Sequence, residues 1–244
     1  MKDSQTAAAL IIGNEILGGK IRDENVYALA LTLRELGVNL ARVVIIADEI
    51  ETISCHVREL ARDFDYLFTS GGVGPTHDDL TISGVAQAFD VAVVRDPEVE
   101  KLLRNHYGSE VSENHLKMAD VPEGARTLYA RSPWPLIVVR NVWVLPGIPE
   151  IFRMKLAIVR EHLQGGAPFV TRALYSKQDE AFLKPLLDRV VANHPEVNVG
   201  SYPRWNDPSY ETKITFDGRD ENAILSALSE LESLLPEGEP LWTE

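Results

Sequence analysis

Thr69-Ser70-Gly71-Gly72-Val73-Gly74-Pro75-Thr76-His77-Asp78-Asp79-Leu80-Thr81 is the stretch around which the rest of the chain takes its meaning. It follows an apolar run, Tyr66-Leu67-Phe68, with the character of a buried strand. It precedes residues 82–89, whose apolar positions recur with helical spacing. Strand, glycine turn and helix start is an arrangement that binds phosphate. Glycine admits positive φ and lets the main chain approach a ligand, so that successive N–H groups converge on anionic oxygens. The loop lacks the Gly-Lys-Ser/Thr ending of a P-loop and the G-x-G-x-x-G spacing of a dinucleotide turn. From Asp63 to Val94 there is no Lys or Arg, yet Asp78 and Asp79 adjoin the glycines. Carboxylates repel phosphate, so a divalent cation such as Mg²⁺ is expected to mediate. The competing reading is a solvated turn whose Asp and Thr simply cap a helix.

Upstream, Ala7-Ala8-Ala9-Leu10-Ile11-Ile12 is a continuous apolar run, as expected of a central parallel strand covered on both faces. Asn14 and Glu15 then fall where such a strand delivers residues to a crevice. A helix is expected after Asp23, with Val26, Leu29, Ala30, Leu33 and Leu36 on one stripe and Gly37 as its stop. Val43-Val44-Ile45-Ile46-Ala47 reads as a second buried strand ending at Asp48-Glu49. A helix capped by Thr52 follows, with Ile53, Val57, Leu60 and Ala61 inward and Cys55 as a small core residue. This short alternation implies right-handed crossovers and an α/β three-layer domain with a parallel sheet. The strand ends at Asn14-Glu15, Asp48-Glu49 and Ser70 to Asp79 are then expected to open on one edge, where acids from separate strands can converge.

Downstream, residues 106–115 read as a polar loop or lid, with His106 and His115 as surface histidines. Residues 136–139 and 142–145 flank Arg140-Asn141 as a tight hairpin. The second strand runs into Pro146-Gly147-Ile148-Pro149, a stiff turn of the kind that holds a loop against a ligand. Gln164-Gly165-Gly166-Ala167-Pro168 is the expected boundary, giving domains 1–166 and 167–244. The second domain reads β-α-β-β-α, a small ferredoxin-like α+β module. Phe182, Leu186, Leu187 and Val190 are its expected inward helix positions, and Pro203-Arg204-Trp205-Asn206-Asp207-Pro208-Ser209 is a turn.

A formal net charge of −13 over 244 residues argues against binding to nucleic acid or an anionic membrane surface, which needs clustered Lys and Arg. With a single Cys there is no disulfide framework. The polar start, Met1-Lys2-Asp3-Ser4-Gln5-Thr6, does not read as a signal peptide, so a cytoplasmic protein is expected.

Gly71-Gly72-Val73-Gly74 with Asp79 and Thr81 resembles the signature of the MoaB/Mog-type molybdopterin-binding fold family. Within it, Gly74-Pro75-Thr76-His77-Asp78-Asp79-Leu80-Thr81, Gly13-Asn14-Glu15-Ile16-Leu17-Gly18-Gly19 and Asp23-Glu24-Asn25 look like the CinA-type branch. Arg131-Ser132-Pro133-Trp134-Pro135-Leu136 departs from that branch. It and Gly200-Ser201-Tyr202-Pro203 look more like the molybdopterin-binding-like domain of FAD synthases. Asn14 stands where the family commonly has Asp.

The resemblance implies a small phosphorylated ligand, a pterin or an adenine nucleotide, and a homo-oligomer, dimer or trimer. It associates Asp79 and Asp48 with a divalent metal and with catalysis, alongside Asp78. The expected activity is metal-dependent hydrolysis of ADP-containing pyrophosphates of the FAD or ADP-ribose type. Molybdopterin binding or adenylylation, and ligand binding without catalysis, are the alternatives. The expected ligand-binding residues are Asn14, Glu15, Asn25, Ser70, Gly71, Gly72, Val73, Gly74, Pro75, Thr81, Pro146, Gly147 and Pro149.

Overall fold

The computed structural model describes residues 5–205 and 208–244, so the polar start at Met1 to Ser4 and Asn206-Asp207 of the expected turn lie outside it. The chain divides into two compact units, up to Gly166 and from Ala167 onward. The first contains β1 (Thr6–Ile12), α1 (Asn14–Leu17), α2 (Asn25–Glu35), β2 (Asn39–Ile46), α3 (Ile50–Asp63), β3 (Tyr66–Ser70) and α4 (Thr81–Ala88). It continues with β4 (Val93–Arg95), α5 (Pro97–Tyr107), α6 (Glu113–Leu116), β5 (Asp120–Pro122), β6 (Arg126–Leu128), β7 (Leu136–Val139), β8 (Val142–Leu145) and α7 (Pro149–His162).

Six strands form one sheet in the order β2-β1-β3-β8-β7-β6. The first four are mutually parallel, and the β7–β8 hairpin and β6 add two antiparallel strands. The apolar run of β1 is buried on both sides because alternate residues face different helix layers. Ala7, Ala9 and Ile11 pack with Leu29, Leu33, Phe152 and Leu156 of α2 and α7. Ala8, Leu10 and Ile12 pack with Ile53, Val57, Leu60 and Val85 of α3 and α4.

The chain leaves β1 toward β2 on one side and returns to place β3 on the other, so the order reverses between β1 and β3. In an open sheet of this kind the crevice lies at the carboxyl ends beside that reversal. The loops after β1, β3 and β8 meet there. A segment running from β4 to β5 carries its own small core, Val99, Leu103, Leu116 and Ala119, with Tyr107, Met118 and Trp134 packed against it.

Three local expectations are corrected. β2 is not a buried strand but the sheet edge, with Val43 42% and Ile45 41% exposed. Cys55 is exposed rather than in the core, because Ile53, Val57 and Leu60 take the inward stripe of α3 and leave it on the other face. Thr52 is inside α3 and does not cap it; Glu49 is the N-cap, and Thr52 Oγ1 donates to its carboxylate at 2.9 Å.

The second unit contains β9 (Val170–Ser176), α8 (Glu180–Asn193), β10 (Asn198–Pro203), β11 (Thr212–Gly218), α9 (Glu221–Leu234) and β12 (Trp242–Thr243). Its sheet order is β10-β11-β9-β12, antiparallel throughout, the ferredoxin-like arrangement with β12 as its fourth strand. Leu183, Val190, Ile214, Phe216, Ile224 and Leu231 fill its core. Phe182, expected inward, is 45% exposed, and Leu183 takes its place. None of the described helices is long and apolar enough to cross a membrane.

Candidate functional site

A cavity of about 830 Å³ opens at the carboxyl ends of β1, β3 and β8. At one end it is walled by the glycine loop. The Gly71 N–H donates to Leu145 O at 3.2 Å, extending the β3–β8 pairing by one bond. Thr81, fully buried, donates its hydroxyl to Gly71 O at 2.7 Å and its N–H to Gly72 O at 2.9 Å. With both carbonyls turned inward, the N–H groups of Gly72, Val73 and Gly74 are left without acceptors among the described residues. Gly71 and Gly72 have φ of 104° and 64°, in the region that favours glycine. A Cβ on Gly72 would stand 2.5 Å from Thr81 Oγ1. The loop is therefore a fixed cradle of main-chain donors.

Neighbouring loops hold it in place. Asn25, 4% exposed at the start of α2, donates from Nδ2 to Ser70 Oγ at 2.9 Å and to Gly147 O at 2.8 Å. Gly147 O can only accept, which fixes the amide orientation and leaves Asn25 Oδ1 buried without a partner among the described residues. The Pro146–Pro149 turn packs so closely that a Cβ on Gly147 would lie 3.2 Å from Gly71 Cα.

Among the expected site residues, Glu15, Asn25, Ser70, Gly71, Gly72, Val73, Gly74, Pro75, Asp79, Pro146, Gly147 and Pro149 line this one cavity. Four do not, each for a visible reason. Asp48 follows β2, the edge strand on the far side of β1 from β3. Its Oδ2 accepts the N–H of Asn14, the first residue of α1 after its N-cap Gly13, at 2.7 Å, so Asp48 and Asn14 are tied to each other away from the cavity wall. Thr81 supports the loop from behind. Asp78 points to solvent, where the Thr76 hydroxyl and its own N–H draw its carboxyl below the usual carboxylate range.

Asp79 Oδ2 accepts the Thr76 N–H at 2.7 Å and the Thr76 hydroxyl at 2.5 Å. That hydroxyl also approaches Asp78 Oδ1 at 2.6 Å, and its single hydrogen serves one acid at a time. Among the described residues no three His, Cys, Asp or Glu side chains are grouped around one point as a metal centre built from protein ligands alone would need. Asp79 lines the cavity and Asp48 does not, so a resident centre that uses both as ligands on the cavity wall does not fit this arrangement.

The other end of the cavity contains groups that sequence reasoning missed. Val99, Leu103 and Tyr107 of α5, Met118, Trp134 and the Ile151, Met154 and Lys155 face of α7 make an apolar wall carrying one ammonium. The expected lid is helical here: α5 runs through Tyr107, and α6 follows. His115 stacks on Tyr107 with ring centroids 3.9 Å apart, and His106 meets Trp134 edge-on at 5.2 Å, so both histidines brace the aromatic wall. Lys155 Nζ donates to Trp134 O at 2.7 Å and to Pro135 O at 2.5 Å, and burial lowers its pKa to about 8. Arg22 is a second cation of the cavity lining. The signal for Lys155 was present in the i, i+3, i+4 recurrence of Ile151, Met154 and Lys155, but nothing local showed which face of α7 meets a cavity.

The family described as "probable molybdopterin binding domain" matches residues 8–164, and that described as "FAD synthase, middle domain" matches 168–243. A protein of Archaeoglobus fulgidus is 31% identical over 92% of this chain and 95% of its own length. A probable FAD synthase of Caenorhabditis elegans is 28% identical over 96% of this chain, which spans about half of that relative's length, 51%. The crystal structure of CinA from Thermoplasma acidophilum, a protein of unknown function, superposes with a TM-score of 0.59 at 26% identity. It covers 65% of this chain and 97% of that one.

Proposed function

Because the chain belongs to the probable molybdopterin binding domain family, joined here to a FAD synthase middle domain, we propose that it hydrolyses ADP-containing pyrophosphates of the FAD or ADP-ribose type. The observation that carries this reading is the set of unpaired N–H groups of Gly72, Val73 and Gly74 on the cavity wall. Fixed donors of this kind hold the non-bridging oxygens of a phosphate and favour the charge that builds there during displacement. The glycine loop carries no cation, so affinity for the anion comes from main-chain dipoles.

Asp79 is the one acid of the loop on the cavity wall. In this reading it accepts the proton of a water molecule whose oxygen attacks phosphorus, while the bridging P–O bond breaks. FAD plus water then gives FMN plus AMP. A resident metal is not part of this scheme; a cation that arrives with the substrate's phosphates is part of the substrate.

The test is incubation with FAD and with ADP-ribose, each with Mg²⁺ or with EDTA, following AMP release. Asp79→Ala is expected to lower turnover by about 100-fold, the scale of a lost general base. No AMP from either compound under either condition overturns the hydrolase reading, and unchanged turnover in the variant removes Asp79 from it. The match over residues 8–164 favours a second reading, adenylylation of a pterin, marked by pyrophosphate released from ATP only when pterin is present.

A further inference from the structure

Lys155 is half-buried beside Trp134 with no carboxylate paired to it among the described residues, and its only acceptors there are two neutral carbonyls. Withdrawing an ammonium even partly from water in this way costs stability that an apolar side chain would not. A position that carries such a cost inside a cavity is a candidate for function. Of the three ammonium hydrogens, two are committed to Trp134 O and Pro135 O, and the third has no acceptor among the described residues.

The face of α7 links this group to the phosphate cradle. Gly147, two residues before α7, touches Gly71, and Ile148, Ile151, Met154 and Lys155 line the same cavity. Lys155 stands six residues beyond Pro149, about 9 Å along the helix at the standard rise. A sugar phosphate is suited to bridge a distance of that order, with a ring at its far end.

Resting on the phosphate reading above, we propose that the Trp134–Lys155 end is a subsite for a planar heteroaromatic ring bearing a carbonyl, as in a flavin, a pterin or an oxopurine. Tyr107, Trp134, Met118 and Met154 supply the apolar walls, and the free N–H of Lys155 donates to the ring carbonyl. The subsite disfavours a ring that presents an amino group there, because two donors then face each other and the ammonium stays unsatisfied.

The test is direct calorimetric binding of FMN, IMP and AMP to the whole chain, repeated on Lys155→Met, Lys155→Arg and Gly72→Ala. IMP and AMP are chosen because the first carries a ring carbonyl where the second carries an amino group. The wild-type chain is expected to bind IMP about tenfold more tightly than AMP. Lys155→Met is expected to weaken FMN and IMP by about ten- to a hundredfold and AMP by much less, the range of a lost charged hydrogen bond. Its melting temperature is expected not to fall, and Lys155→Arg to retain part of the IMP preference.

Equal affinity of the wild-type chain for IMP and AMP overturns the subsite, whatever the variants do. An equal loss for all three ligands in Lys155→Met, or no loss, also overturns it. If AMP binds and Gly72→Ala abolishes that binding while no IMP preference exists, the subsite fails and the phosphate cradle stands. If none of the three binds, both fall.

Discussion

At the glycine end of the cavity the groups come from one contiguous stretch, residues 70–79, and act through the main chain; at the opposite end Tyr107, Trp134 and Lys155 come from three separated segments and act through side chains. The first end is made rigid by backbone conformation and by Thr81 behind it. The second is made rigid by packing, with Lys155 tying α7 to the Trp134–Pro135 segment. The difference teaches that donors fixed by backbone geometry tolerate almost no substitution on the glycines, whereas a packed wall yields to changes in degree.

The comparison is sharpened first at Gly72. Gly72→Ala demands φ of 64° from a residue with a Cβ placed 2.5 Å from Thr81 Oγ1, so the loop has to move and its N–H groups with it. Phosphate affinity, measured with AMP, is expected to fall by about 100-fold or more, from the loss of several charge-assisted bonds together. A bound AMP of unchanged affinity would break the distinction between the two ends.

A smaller effect is expected from pH at the apolar end. The folded chain holds Lys155 at about 8, below the ordinary 10.5, so between those values the unfolded chain binds more protons than the folded one. Stability from this group therefore rises as pH increases through 8 toward 10.5, and the cost is fully present below 8. Discounted for partial solvent access, the gain is about 1–2 kcal/mol. Denaturant unfolding at pH 7.5 and 10, compared with Lys155→Met, checks the sign; the variant is expected to lose this slope.

The smallest effect is expected at Asp48. With its carboxylate on the Asn14 N–H rather than on the cavity wall, Asp48→Ala is expected to cost about 1 kcal/mol of stability, the usual value of one lost hydrogen bond. AMP release is expected to stay within about twofold of the parent, since the cavity wall is untouched. A loss of turnover on the scale of Asp79→Ala would return Asp48 to the site.

Much of the first unit was legible because its signals are local. The run Ala7 to Ile12 could only be a strand covered on both faces, and the hairpin at Arg140-Asn141 followed from two short apolar runs around a polar pair. The glycine loop was legible for the same reason, since the need for positive φ is written in the residue type itself. Strand order was not. Val43 to Ile46 is as apolar as a central strand, and only the pairing pattern makes β2 an edge and carries Asp48 away from the cavity. In the second unit, Phe182 and Leu183 are adjacent apolar residues, and helix rotation alone decides which one is inward.

Sequence by itself determined that residues 69–81 form a strand-to-helix glycine loop in an α/β domain and that a smaller α+β unit follows, because backbone conformation and alternation of polarity depend on neighbours along the chain. The tertiary structure decided that Asp48 holds the Asn14 N–H, that Thr81 supports the loop from behind, and that Trp134 and Lys155 complete the cavity. Those outcomes depend on which strand ends up beside which and which helix face is covered, and contacts between residues so far apart in the chain leave no periodic mark in the sequence.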